Sequence, residues 1–193
     1  MPELTDRTRD FFFMRRNDPT SVSETVTELY QRRLPESYGL DPITDIQILT
    51  PTKKGLIGTV ALNKTLQSVI NPPNTIKKEY KYGQTIFREG DKVMQTKNDY
   101  DIEYTTTAGE KGMGIYNGDM GIIDSIHTDE RYMIVSFDDG KIVEYPFTNA
   151  EELDLAYAIT VHKSQGSEFG YVIMPVFTHM PMLTTRNLLY TAI

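Results

Sequence analysis

The hydrophobic pattern of the chain changes its period twice. In the first part, apolar positions recur at helical spacing. Val26, Leu29, Tyr30 and Leu34 fall on one face of a helix that Ser21 or Ser23 can cap and that Pro35 and Gly39 end. Leu62, Leu66 and Val69 share a face of a second helix over 58–69, stopped by Asn71-Pro72-Pro73. Between them, Ile46-Gln47-Ile48-Leu49-Thr50-Pro51 is an apolar strand running into a polar stop. From Phe87 to Phe147 the signals become short strands divided by turns: Lys92–Thr96, Gly121–Ile126 and Tyr132–Phe137. The last of these runs through Asp138-Asp139-Gly140, a strong hairpin signal, and returns as Lys141–Tyr145. Asn117-Gly118-Asp119 supplies another tight turn, and short strands at this density over about sixty residues predict a small β-barrel. The stretch from Asn98 to Gly114, rich in Thr, Gly and charge, is expected to be a mobile loop. Apolar runs then return from Leu153 to Ile159 and from Tyr171 to Val176, so the end of the chain reads as strand, polar turn, strand.

Composition narrows the chemistry. A chain of 193 residues can bury a core and hold one or two domains. No apolar stretch approaches membrane-spanning length, and the N-terminus carries no basic-then-apolar signal, so a cytoplasmic protein with no membrane partner is expected. Cysteine is absent, which excludes disulfides, thiolate zinc sites and a cysteine nucleophile. The three histidines, at 127, 162 and 179, lack ligand-like spacing, and no metal site is expected. The net charge of −7 argues against binding nucleic acid until it is divided. Residues 1–79 carry +1, residues 80–149 carry −6 and residues 150–193 carry −2. The acidity thus sits mainly in the β-rich middle, and the flanks are close to neutral.

Between the two C-terminal apolar runs lies Thr160-Val161-His162-Lys163-Ser164-Gln165-Gly166-Ser167-Glu168-Phe169. Hydroxyl, imidazole and ammonium groups there can donate to phosphate oxygens, as can the free backbone N–H groups of such a turn. Gly166 lets a backbone come close to a ligand, and Glu168, an acceptor when ionised, suits a sugar hydroxyl better than a phosphate.

This block resembles motif V of superfamily 1 helicases, in the form carried by the RecD/TraA branch. Arg186-Asn187-Leu188-Leu189-Tyr190-Thr191-Ala192-Ile193 resembles the opening of motif VI. The strand at 46–51, followed by Lys53, Lys54, Gly55, Gly58, Leu62-Asn63, Leu66-Gln67 and Asn71-Pro72, resembles the start of the second motor domain of RecD-like helicases; Asp10-Phe11-Phe12-Phe13 resembles the strand before it. Asn117-Gly118-Asp119 with Gly121 resembles the hallmark of an SH3-like barrel inserted there. The resemblance, to a superfamily 1B enzyme similar to the exodeoxyribonuclease V α-subunit, implies an α/β fold. Residues 4–79 plus 150–193 would form a RecA-like second motor domain, and residues 80–149 the inserted barrel.

In function the resemblance implies part of an ATP-dependent 5′-to-3′ DNA helicase involved in repair and recombination. Thr160 and His162 would face single-stranded DNA with Lys163 and Ser164, and Thr50 would offer its hydroxyl to the DNA backbone. Gln165, Gly166, Glu168 and Arg186 would serve ATP, Gly166 approaching the γ-phosphate and Glu168 the ribose. The chain has no Gly-x-x-x-x-Gly-Lys-Ser/Thr loop, and it stops short of the Thr-Arg-Ala that in the family follows and carries the arginine finger. It is therefore expected to be a fragment, inactive alone and binding no cofactor by itself. ATP and Mg²⁺ would belong to the longer parent, and the partners would be single-stranded DNA, the missing N-terminal motor domain and other DNA-repair proteins. Several residues keep a plain alternative. Lys53 and Lys54 are a solvated turn or a DNA contact, and Arg186 an ion pair or a nucleotide contact. Met113, Tyr116 and Met120 are packing or a base-stacking platform. At the level of the whole chain, the alternative is a non-enzymatic module that binds protein or nucleic acid through the barrel.

Overall fold

The computed structural model describes residues 11–176. Motif VI, with Arg186 and Tyr190, lies outside the described residues. An α/β unit opens the chain. Helix α1 (Pro19–Glu28) starts at Asp18, not at Ser21 or Ser23: the Asp18 carboxylate accepts from the Ser21 N–H at 2.9 Å, and Pro19 occupies the first turn, where its missing N–H costs nothing. The helix also runs past Pro35, by way of one π-helical turn (Leu29–Arg33) into α2 (Leu34–Tyr38), and ends at Gly39 with φ +70°. In the wider turn, just before Pro35, the Leu34 N–H donates to the Leu29 carbonyl five residues back. Strand β1 (Ile46–Thr50) and helix α3 (Thr59–Ile70) follow. Phe11–Phe13, expected as a strand, is irregular, with Phe11 and Phe13 exposed.

The barrel region holds more strands than its turns announce. A hairpin of β2 (Glu79–Tyr82) and β3 (Thr85–Arg88) precedes a curled sheet. That sheet uses β4 (Lys92–Gln95), β5 (Asp99–Thr106), β6 (Lys111–Ile115), β7 (Met120–His127), β8 (Tyr132–Phe137) and β9 (Lys141–Pro146). Strand β10 (Leu153–Leu155) completes it, in the order β10-β4-β7-β8-β9-β5-β6. The segment expected to be a mobile loop is the β5–β6 hairpin: Ile102 is buried, Tyr104 covers Gly112, and Ile115 is buried.

The apolar run Leu153–Ile159 is not one strand. Its first half, β10, pairs antiparallel with β4 in the curled sheet; its second, β11 (Ala158–Thr160), pairs parallel with β1. Strand β12 (Tyr171–Ile173) lies on the other side of β1, giving a parallel sheet β11-β1-β12. All five residues of β1 are buried, as expected of a parallel strand covered on both faces. Ile46 and Ile48 pack with Val22, Val26, Tyr30, Leu62 and Leu66 from the helices. Leu49 packs the other way, with Met94 and Met120 of the barrel and Ala156, Ile159 and Val161. The sheet is thus covered by helices on one side and by the inserted barrel on the other. The α/β unit does not draw its core from its own elements alone.

Candidate nucleic-acid and nucleotide site

Ligands of parallel sheets gather at the carboxyl ends of the strands. Thr50 and Thr160 stand opposite each other at that edge, ending β1 and β11. Two segments leave from it: the loop 51–58, with Lys53 and Lys54 exposed, and the turn 161–170. The turn begins as a single 3₁₀ helix, Val161–Ser164. Residues three apart eclipse in such a helix, so Val161 and Ser164 both point inward while His162, between them, is exposed.

A type II turn follows: Gln165 has φ −62° and ψ 124°, Gly166 has φ +88°, and the Ser167 N–H donates to the Ser164 carbonyl at 3.0 Å. Glycine is needed at 166 for that positive φ; a Cβ there would meet nothing within 4 Å. Gln165, Gly166, Ser167 and Glu168 are all exposed, and Phe169 tucks back against the apolar cluster shared with the barrel. The turn therefore has two open stretches, His162 and 165–168, separated by an anchored Ser164.

Three of the residues expected to meet DNA are occupied internally. Thr50 is fully buried, and its hydroxyl donates to the Ile57 carbonyl at 2.7 Å, which ties down the loop 51–58. Ser164 is buried, and its hydroxyl donates to the Val161 carbonyl at 2.8 Å, closing its own turn. The Lys163 ammonium reaches the barrel, donating to Asn117 Oδ1 at 3.0 Å and to the Thr96 carbonyl at 3.4 Å. Burial lowers the Lys163 pKa from its ordinary value, against the pull of Asp154 and with a push from Lys53. Thr160 is half-buried at the strand end, and His162 is exposed, with no hydrogen bond among the described residues.

A stripe of polar residues on α3 and at its C-terminal cap holds the other end of β11, where that strand begins. Asn63, Gln67 and Asn71 are spaced by four and all buried. The Asn63 amide donates to the Leu155 and Ala158 carbonyls and accepts from the Ala158 N–H, fixing the step from β10 to β11. Gln67 and Asn71 both donate to the Asp91 carboxylate, at 2.6 and 2.7 Å, which also accepts from the Tyr157 hydroxyl and the Arg88 N–H. Burial raises the Asp91 pKa and these four donors oppose it. The four-residue spacing of the amides was the sequence signal for this stripe; nothing in the sequence marks Asn117 or Thr96 as partners of Lys163. Among the described residues no group of three or more His, Asp or Glu side chains could hold a metal ion, and no helix is long and apolar enough to cross a membrane.

Comparison with known proteins agrees with this architecture. The family described as the ATP-dependent RecD-like DNA helicase SH3 domain matches residues 62–137, beginning inside α3, and the UvrD-like helicase C-terminal domain matches 155–193. The chain is 39% identical over 149 residues to the ATP-dependent RecD2 DNA helicase of Deinococcus radiodurans, covering 77% of this chain and 18% of that protein. It is 27% identical to the RecBCD enzyme subunit RecD of Buchnera aphidicola subsp. Schizaphis graminum, covering 76% of this chain and 23% of that one. The chain thus spans less than a quarter of either relative. A Pif1 helicase from Bacteroides, solved with ADP-AlF3 and ssDNA, shares the fold with a TM-score of 0.50 at 19% identity, over 90% of this chain and 42% of that chain.

Proposed function

Because the chain belongs to the RecD-like helicases, we propose that it supplies the second motor domain and inserted barrel of an ATP-driven DNA helicase. Residues 4–79 and 150–193 would be the motor part and 80–149 the barrel, and β10 of the returning segment pairs with β4 of the barrel sheet. ATP would bind between this unit and a first motor domain carrying the phosphate loop, and closure on ATP would move the DNA contacts of the two halves relative to each other. Thr160 and His162 would present the DNA face of the turn; Gln165, Gly166, Glu168 and Arg186 would present the nucleotide face. Polarity of 5′ to 3′, a cytoplasmic location and other repair proteins as partners complete the reading. The Mg²⁺ of phosphoryl transfer would be held by the half that carries the phosphate loop.

The observation that carries this reading is the turn at the carboxyl edge. It leaves one imidazole open on one side of the anchored Ser164 and four consecutive residues, 165–168, open on the other. In the complete helicase, His162→Ala is expected to weaken single-stranded DNA binding and DNA-stimulated hydrolysis by about tenfold, roughly one charged hydrogen bond, with the ATP KM nearly unchanged. Glu168→Ala is expected mainly to raise the ATP KM, because a ribose contact is made equally in ground and transition states. The 193 residues alone are expected to turn over no ATP, lacking a phosphate loop. Identical defects from the two substitutions would remove the division of the turn into two faces. DNA-stimulated turnover by the isolated chain would remove the half-motor reading.

A further inference from the structure

Lys163 stands in the most exposed-looking stretch of the sequence, yet its ammonium is spent on the barrel. Both acceptors are themselves fixed. Thr96 is held by its N–H and hydroxyl on the Glu152 carbonyl, at 2.6 and 2.9 Å. Asn117 receives its place from its own N–H on Asn98 Oδ1 at 2.9 Å, while the next residue, Gly118, donates to the Gln95 carbonyl at 2.9 Å. Two residues before Lys163, Val161 is buried in the cluster with Met94 and Met120, one on each of the strands that flank these acceptors. The turn is therefore fastened to the barrel at two successive points, one apolar and one charged, and His162 lies between them.

We propose that Lys163 is a positioning residue, not a phosphate ligand: its bonds to Asn117 and Thr96 let the barrel set where His162 and Thr160 lie. A rotation of the barrel against the parallel sheet would then move the DNA face of the turn directly. This rests on the reading of that face as the DNA contact. A phosphate-binding lysine would instead hold its ammonium free; here the half-buried side chain donates to two protein acceptors, with Asp154 and Lys53 both close enough to act on its charge.

The test uses the 193-residue chain and NMR, with no ligand and then with oligo(dT) titrated at several salt concentrations. Without DNA, Lys163→Met should shift the Asn117 side-chain amide signals, and Asn117→Leu should shift the His162 ring signals. Lys163→Arg should restore both towards the original positions. With DNA, Lys163→Met and Asn117→Leu should weaken binding by a similar factor, about threefold, and the double variant no further. The dependence of log Kd on log salt should keep its slope in all three, because no phosphate contact is lost. A slope reduced by about one in Lys163→Met, with Asn117→Leu binding normally, would assign Lys163 to a phosphate and overturn the proposal. His162 signals unmoved by Asn117→Leu would overturn it as well. If this half of the motor binds no oligo(dT) by itself, the ligand-free shifts alone decide whether the barrel positions the turn, and His162→Ala in the complete helicase decides the DNA reading.

Discussion

Residues 91 and 92 show how differently the protein treats two buried charges. Asp91 has four donors and no cation; Lys92 is 6% exposed and has carboxylates near it but no close ion pair among the described residues. Burial lowers the Lys92 pKa to about 8 from 10.5, with Asp138, Asp41 and Asp45 pulling the other way. A base whose folded pKa lies below its unfolded value penalises folding at every pH where it is charged in both states. Between about 8 and 10.5 the unfolded chain binds more protons than the folded one, so stability contributed by this group rises with pH across that window. The full penalty below pH 8 is at most on the order of 3 kcal/mol. Lys92→Met is therefore expected to raise stability at pH 7 by about 1–3 kcal/mol. Its advantage over the parent should shrink as denaturation is measured from pH 8 towards 10, and an advantage independent of pH would mean that Lys92 is not buried as a cation. The same question of depth decided which site residues were legible in the sequence. The block Thr160–Phe169 is legible as one chemical turn, but side-chain type alone groups Lys163 and Ser164 with Thr160 and His162 on the DNA face. The three-residue period of the 3₁₀ turn buried Ser164 behind Val161, and the burial of Thr50 followed from a hydroxyl that closes the neighbouring loop. Type of side chain was readable; depth depends on a turn geometry that composition does not specify.

Among the elements, β7 carries a packing constraint that its neighbours' backbone cannot relieve. Gly121 pairs with Val93 of β4 on one side and Phe137 of β8 on the other. A Cβ at that position would run into the Ser136 carbonyl and the Phe137 backbone, neither of which can rotate away. Gly121→Ala should therefore cost about 2 kcal/mol or more by overpacking, read from a urea midpoint that falls with an unchanged slope. A cost of only a few tenths would mean that β7 and β8 separate more easily than their pairing implies. Elements with one strong signal each were legible: α3 from its apolar face, and the β8–β9 hairpin from Asp138-Asp139-Gly140, with Gly140 at φ +83°. Where composition and contact disagree, the sequence misled. The β5–β6 hairpin looks like a loop because much of its length is Thr, Gly and charge. Two buried isoleucines and a tyrosine laid over Gly112 suffice to hold it once the rest of the sheet is present. The run Leu153–Ile159 looks continuous because both halves are buried, and nothing local marks Ala156 and Tyr157 as the crossing between two sheets.

At the scale of the whole molecule, the question is whether the barrel is a removable insertion. An inserted domain normally keeps its own core, and a short Gly/Ser linker in place of residues 80–149 should then leave a foldable α/β unit. The structure argues for the opposite outcome. Removing the barrel would uncover Leu49, Ile159 and Val161, which pack on Met94 and Met120. It would take β4 away from β10, leaving that strand without its partner. It would also delete Asp91, stranding the buried amides of Gln67 and Asn71 and the Tyr157 hydroxyl. Each stranded buried donor costs about 1–3 kcal/mol, and the lost apolar contacts add to that. The sum approaches the roughly 5–15 kcal/mol by which a whole domain is stable. The deletion variant is thus expected to melt over a broad range, to bind ANS, and to lose near-ultraviolet dichroism before its far-ultraviolet signal. The 193-residue chain, by contrast, should show coincident transitions by both signals, as one cooperative unit. A sharp, coincident melt from the deletion variant would show that the α/β unit can close its own sheet face. The α/β unit would then not depend on the barrel for its stability, and the fastening at Val161 and Lys163 would join the two parts without being needed to fold either.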